Sequence, residues 1–201
     1  MLQFILTESS RWTVAELAQM AVEGGCLWIS LHLPEKSDAE IREIVEPDII
    51  EMCREASVFL TVDDRPELAR ELGLHGVRLS MRYFLEHSDQ SPLSLREELG
   101  PEAVIGVECA DASSLRSFVP ADIDFITLPL TFSSDDRQRF VKAVKQGGFV
   151  FPVVAEGTFD IDGALAAIAD GCSGVAIGRQ VSESADPVTL MQDYLDSLKS
   201  F

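Results

Sequence analysis

The sequence predicts an α/β protein folded as a compact (β/α)8 TIM barrel, a single domain over residues 1–201. Three observations carry this expectation. Short apolar runs recur along the chain, each separated from the next by a stretch with helical spacing. The runs are apolar throughout instead of alternating, as strands are when both faces of a sheet are covered. Strands that alternate with helices run parallel, because a parallel neighbour needs a crossover. Eight such units in 201 residues close most naturally into a barrel of about 25 residues per unit. An open doubly wound sheet is the competing arrangement.

Taken in order, the first strand is Leu2–Leu6 and the second Leu27–Leu31, with an amphipathic helix over Val14–Val22 between them. Thr13 followed by Glu16 gives that helix a capping box. A helix over Asp38–Ala56 leads to a strand at Val58–Val62, then a helix at Pro66–Leu72 and a strand at Gly76–Ser80. Glu86–Leu93, with its serines and Pro92, reads as a mobile loop. Val104–Glu108 is the fifth strand, followed by a short helix near Ala112–Phe118. The sixth strand is Ile123–Leu128 with a helix over Asp135–Gln146, and the seventh is Val150–Ala155 with a helix over Ile161–Ala169. Gly174–Ile177 and the helix Val188–Leu198 close the series. Gly73, the pair Gly147–Gly148 and Gly171 follow helices and read as C-cap glycines.

Composition narrows the function. The formal charge is −18, with 34 acidic and 16 basic residues, which argues against nucleic acid or an anionic membrane as partner. A single phosphorylated metabolite needs only a few backbone amides and one or two cations, so it stays open. The opening MLQFILTESSRW has no basic region or cleavage site, no apolar run is long enough to span a bilayer, and the expectation is a cytoplasmic protein. Cys26, Cys53, Cys109 and Cys172 form no CxxC pair and read as reduced thiols. A homodimer formed through the helical layer is compatible with such a barrel.

In this fold the site lies where the strands end. Reading around the rim gives Thr7 and Glu8; His32 with Glu35 and Lys36; Asp63 and Asp64; Ser80 and Arg82; Glu108; Pro129, Thr131 and Ser133; Glu156 and Gly157; Gly178 and Arg179. Carboxylates around a shared axis can hold a divalent metal, and cations beside them can pair with phosphates. Asp64, just before Arg65–Pro66, also fits an ordinary helix start. The stretch GCSGVAIGRQV, together with Ala155-Glu156-Gly157, matches a glycine phosphate cradle to which Arg179 adds a charge-assisted contact. No nucleophile–base pair of the covalent type stands out.

These features together resemble the thiamine phosphate synthase and TenI-like superfamily. The match runs through GGCLWISLHLPEK, LTVDDRPELARELGLHGVRLS, IDFITLPLTFSS and PVVAEGTFDIDGALAAIADGCSGVAIG, in that order. The resemblance implies a barrel that joins a pyrimidine diphosphate to a thiazole phosphate with magnesium and releases pyrophosphate; a related branch isomerises the thiazole. It implies Asp64 as a magnesium ligand, Lys36 and Arg82 on the diphosphate, and Gly157 with Gly178 on the thiazole phosphate. His32, Asp63, Thr131, Glu156 and Arg179 complete the implied substrate contacts.

Several family positions differ. The Asn-Asp pair is Asp63-Asp64, the fourth-strand histidine is Arg78, and the second metal aspartate falls within Ser80-Met81-Arg82-Tyr83. The second-strand glutamine and arginine are Ser30 and His32, the serine after strand five is Glu108, and no histidine lies near Pro129 as the isomerase branch requires. The chain therefore reads as a diverged member. The alternatives are a catalytically silent barrel that binds a phosphorylated metabolite, and an enzyme for another phosphorylated substrate with Glu108 or Glu156 as general base.

Overall fold

The computed structural model describes every residue except 47, 114, 116–121 and 201. Eight strands close into one barrel: β1 (Leu2–Leu6), β2 (Trp28–Leu31), β3 (Phe59–Asp63), β4 (Gly76–Leu79), β5 (Val104–Glu108), β6 (Phe125–Leu128), β7 (Val153–Glu156) and β8 (Gly174–Ile177). Each strand pairs in parallel with the next, and β8 pairs back onto β1 through Gln3 opposite Ala176. Closure removes both sheet edges, which an open doubly wound sheet would leave.

Around it lie α1 (Val14–Glu23), α2 (Asp38–Val45), α3 (Ile49–Glu55), α4 (Pro66–Glu71), α5 (Met81–Glu86), α6 (Pro92–Leu99), α7 (Ser134–Gln146), α8 (Ile161–Ala169), α9 (Arg179–Ser182) and α10 (Pro187–Lys199). The capping box of α1 is formed as expected, with Thr13 accepting from the Glu16 amide and the Glu16 carboxylate accepting from the Thr13 amide at 2.8 Å. Gly73, Gly148 and Gly171 hold the left-handed conformation at helix ends, with φ of 61°, 76° and 98°. Among the described residues no helix is long and apolar enough to cross a membrane.

The structure departs from the sequence expectations most clearly in three places. The helix expected over Asp38–Ala56 is two helices, α2 ending at Val45 and α3 starting at Ile49. The seventh strand starts at Val153, not Val150. Val150 is 93% exposed, and Pro152 offers the sheet only its carbonyl, to Ile126 at 2.9 Å. Glu86–Leu93 contains the end of α5 and the start of α6, whose Ser91 cap and Pro92 fit a helix N-terminus. The helix expected near Ala112–Phe118 falls largely outside the described residues.

The barrel interior is layered. At its lower end Trp28 meets Phe125 edge-to-face with ring centroids 4.7 Å apart, beside Ile5, Val154 and Ala176. Gly106 makes room for this plug, since a Cβ there would run into the Phe125 ring. Polar side chains also fill inward positions: Gln3, Ser30, Thr61, Thr127, Asp63 and Arg78 are all buried, and Asp63 and Arg78 stand nearest the strand ends. The larger apolar core fills the space between sheet and helices. The stratification gives a stable floor and a polar mouth.

Candidate functional site at the barrel mouth

The polar mouth lies at the carboxyl ends of the strands, as the fold demands. Two adjoining cavities of about 240 and 210 Å³ share His32, Asp63 and Asp64 in their walls. The outer one also touches Arg82 and Tyr83, the inner one Arg78, Glu108 and Glu156. A larger cavity of about 480 Å³ lies at the opposite end, lined mainly by apolar groups such as Leu27, Trp28 and Phe59. It lacks the convergent polar groups that chemistry requires.

Arg78 organises the mouth. It points inward from β4 and is 8% exposed. Its Nε donates to Asp63 Oδ1 at 3.0 Å, its Nη2 to Asp63 Oδ2, and its Nη1 reaches across the barrel to Glu156 Oε2. Asp63 also accepts from Ser30 Oγ at 2.7 Å and pairs with His32 Nδ1 at 2.9 Å. Burial works against the charge of Asp63, but the Arg78 guanidinium and the bonds from His32 and Arg78 outweigh it and hold this carboxyl down at about 2. Burial likewise disfavours the cation of Arg78, and Asp63 and Glu156 overcome it, raising its pKa. The bond to Asp63 raises His32, against the effect of its own partial burial.

Glu108 is the contrasting group. It ends β5 half-buried, and no hydrogen bond or ion pair engages its side chain among the described residues. Burial first, then the neighbouring charge of Glu156, raises its carboxyl above the usual range. Its register partner on β6 is Thr127, whose hydroxyl is wholly buried with no hydrogen-bond partner; Gln3 is in the same condition. Such orphaned groups cost about 1–3 kcal/mol each unless water or a ligand satisfies them.

Asp64 is bonded to the neighbouring loop. It adopts φ of 55°, a left-handed conformation that Asp and Asn tolerate better than most residues. Its Oδ1 accepts from the Ser80 amide at 2.6 Å and its Oδ2 from Ser80 Oγ at 2.7 Å. Ser80 in turn caps α5 by accepting from the Tyr83 amide. Asp64 thus ties the loop after β3 to the loop after β4. It does not cap α4, whose N-cap position, Arg65, supplies no side-chain capping bond.

The remaining expected residues converge less. Lys36 pairs with the exposed Glu8 at 2.8 Å, which raises its pKa, and Arg82 pairs with Glu86 at 2.6 Å while its side chain stays 81% exposed. Thr131 is exposed in the turn after β6 and lines neither cavity of the mouth. Arg179 is exposed at the first position of α9. Gly157 donates to the Ala176 carbonyl, and Gly178 donates to Gln180 Oε1 at 3.2 Å. Gln180 Nε2 donates to the carbonyls of Gly157 and Phe159, so this side chain bridges the loops after β7 and β8.

Sequence reading passed over Gln180 and did not place Arg78 among the ligand-facing groups. A charged residue in the otherwise apolar strand Gly76–Leu79 was the available signal for Arg78. Gln180 carried no such signal.

The family's magnesium does not fit these residues. Both oxygens of Asp64 accept from Ser80, both of Asp63 accept from donors, and Glu156 is bound to Arg78. Among the described residues no three His, Cys, Asp or Glu side chains are grouped to hold a metal ion.

With the geometry in view, three comparisons place the chain. It is 27% identical to a thiamine-phosphate synthase of Bacteroides fragilis, covering 93% of this chain and 94% of the relative. It is 28% identical to the enzyme of that name from Bacteroides thetaiotaomicron, covering 92% and 91%. Its fold matches a thiamine phosphate pyrophosphorylase from Pyrococcus furiosus with a TM-score of 0.81 at 22% identity, covering 99% of this chain and 95% of that one. A sequence profile of the family described as thiamine monophosphate synthase spans residues 2–181, and the chain belongs to that family.

Proposed function

We propose that this chain works as a thiamine phosphate synthase-like protein, joining a hydroxymethylpyrimidine diphosphate to a thiazole phosphate with release of pyrophosphate. The family-wide match over residues 2–181 carries the reading. In the reaction the carbon–oxygen bond to the diphosphate breaks, pyrophosphate leaves with the electron pair, and the thiazole captures the pyrimidine cation. Glu108 and Glu156 supply negative charge on the inner wall, where a preorganised carboxylate stabilises a developing cation. Glu108, the unengaged carboxyl of the inner wall, also suits a hydrogen bond to the heterocycle.

The diphosphate belongs at the outer rim. Lys36 and Arg82 are held there only by exposed ion pairs. Such pairs are worth about 0–1 kcal/mol, so both cations can turn to a phosphate at little cost. The thiazole phosphate belongs at Gly157 and Gly178, where an anion would take the Gly178 amide from Gln180. The remaining contribution is orientation of the two reactants. A cytoplasmic location, phosphorylated small molecules as ligands and a homodimer formed through the helical layer go with this reading.

One observation favours a second reading. The Arg78–Asp63–Glu156 cluster occupies the centre of the mouth with its own ions, as in a barrel that binds a phosphorylated ligand without turning it over. Incubation of the purified chain with both substrates, followed by mass spectrometry, separates the two. Thiamine phosphate formed, and lost in Glu108→Ala, supports the synthase. Thiazole phosphate binding without any product supports the silent barrel.

A further inference from the structure

We infer that the mouth of this barrel is closed to divalent metal and that the Arg78 guanidinium is its resident cation, so that a ligand is taken without magnesium. The inference rests on the proposed function only in expecting that ligand to be phosphorylated.

A magnesium ion needs several oxygen donors with free lone pairs in octahedral array. Four carboxylates line the inner cavity: Asp63, Asp64, Glu108 and Glu156. Three of them are already engaged, two by a cation that opposes a second one beside it. Asp63 and Glu156 face the two ends of one guanidinium, and Asp64 has both oxygens on Ser80. Glu108 alone is unengaged, and a single carboxylate does not make a site. A divalent ion beside Glu108 would also face the positive charge of Arg78, buried where screening by salt is weak.

Arg78 does more than exclude the metal. A guanidinium carries five N–H donors, and three are used on Asp63 and Glu156. The other two have no acceptor among the described residues. A fixed cation with donors in reserve, held in the mouth by two carboxylates, offers an anionic or carbonyl oxygen a directional contact that no ion has to be recruited to make. His32 adjusts the balance: when protonated it renders the group of Arg78, Asp63, Glu156 and His32 neutral overall.

The test uses manganese alone as a paramagnetic stand-in for magnesium, titrated into the full chain at 150 mM salt and followed by its electron spin resonance signal. The wild type should leave the free-ion signal undiminished. Arg78→Met frees Asp63 and Glu156 beside Glu108 and should bind one manganese per chain at least about tenfold more tightly than the wild type; adding Asp63→Asn should abolish that gain. Stoichiometric binding to the wild type that disappears in Asp64→Asn would overturn the inference. Should Arg78→Met fail to fold, the wild type decides through pyrophosphate binding by calorimetry. Equal affinity in EDTA and in magnesium supports the inference, and a tenfold or greater dependence on magnesium overturns it. An absence of pyrophosphate binding in both buffers counts against the synthase reading, while the manganese titration still decides the metal question.

Discussion

Asp63→Asn removes one formal charge from the barrel mouth while leaving the side chain's shape nearly intact. In the wild type that carboxylate takes two bonds from Arg78, one from Ser30 and one from His32, and it is 8% exposed. Its pKa falls from 3.8 to about 2, which at about 1.4 kcal/mol per unit is on the order of 2 kcal/mol of favourable charge interaction. Asparagine loses that interaction and sets an amide NH2 against donors. The buried guanidinium is left with Glu156 as its ionic partner, and breaking one side of a buried pair costs about 3–5 kcal/mol.

We expect Asp63→Asn to lose about 3 kcal/mol in urea unfolding at pH 7, with a melting point lower by roughly 6–12 °C for a chain of this size. The sign with pH follows from the depressed value. The contribution is complete above pH 3.8 and disappears as pH falls through about 2, so wild type and variant should converge in acid. Arg78→Met combined with Asp63→Leu should be less damaging than the two single changes summed, by about 2 kcal/mol. A loss below about 1 kcal/mol in Asp63→Asn, or a double variant that is simply additive, would refute the electrostatic account of the cluster.

Three further outcomes are expected. Because Asp63 raises the pKa of His32, the stabilisation from that pair is complete below about pH 6.5 and fades as pH rises through the raised value. The stability gap between wild type and His32→Gln should therefore narrow from pH 6 to pH 9, and a constant gap would show that the charge is irrelevant. Asp64→Asn should keep the left-handed backbone and one bond to Ser80 and cost under about 1 kcal/mol, whereas Asp64→Ala should cost about 2 kcal/mol in urea unfolding. Equal costs would mean that neither the bonds to Ser80 nor the backbone conformation matters. Gly106→Ala, with its new methyl against the Phe125 ring, should lose about 1–3 kcal/mol by overpacking; an unchanged melting curve would show the floor of the barrel to be loosely filled.

Much of the fold was legible because each strand is buried on both faces. Leu2–Leu6 and Gly174–Ile177 announce themselves as apolar runs, and the helices between them leave only parallel pairing. The misplaced start of β7 had a visible cause in Pro152. Ser91–Pro92 was a helix start that its serine-rich neighbourhood disguised. The site was legible only as a roster of strand ends. Which side chains meet depends on reach across the barrel, as when Arg78 finds Glu156 at a separation of 78 residues. Local pattern carries no trace of that. Lys36 and Arg82 were expected on a diphosphate and Arg179 on a second phosphate; the first two pair with nearby exposed carboxylates and the third is exposed, since long cations on a charged surface find water and neighbours first.

The geometry of Asp64 bears on how a diverging family keeps its appearance. A backbone at φ 55° admits few side chains besides Asp, Asn and Gly, and the Ser80 contacts reward an oxygen there. Drift at this position is therefore confined to a narrow alphabet whatever happens to catalysis. An acidic residue can persist here long after any metal has ceased to need it, much as a doorframe outlasts the door. Motif searches that score this position will go on recognising relatives in which the chemistry has changed. The more discriminating position is 78, where the inner wall imposes no such backbone restriction and the side chain is free to record the change.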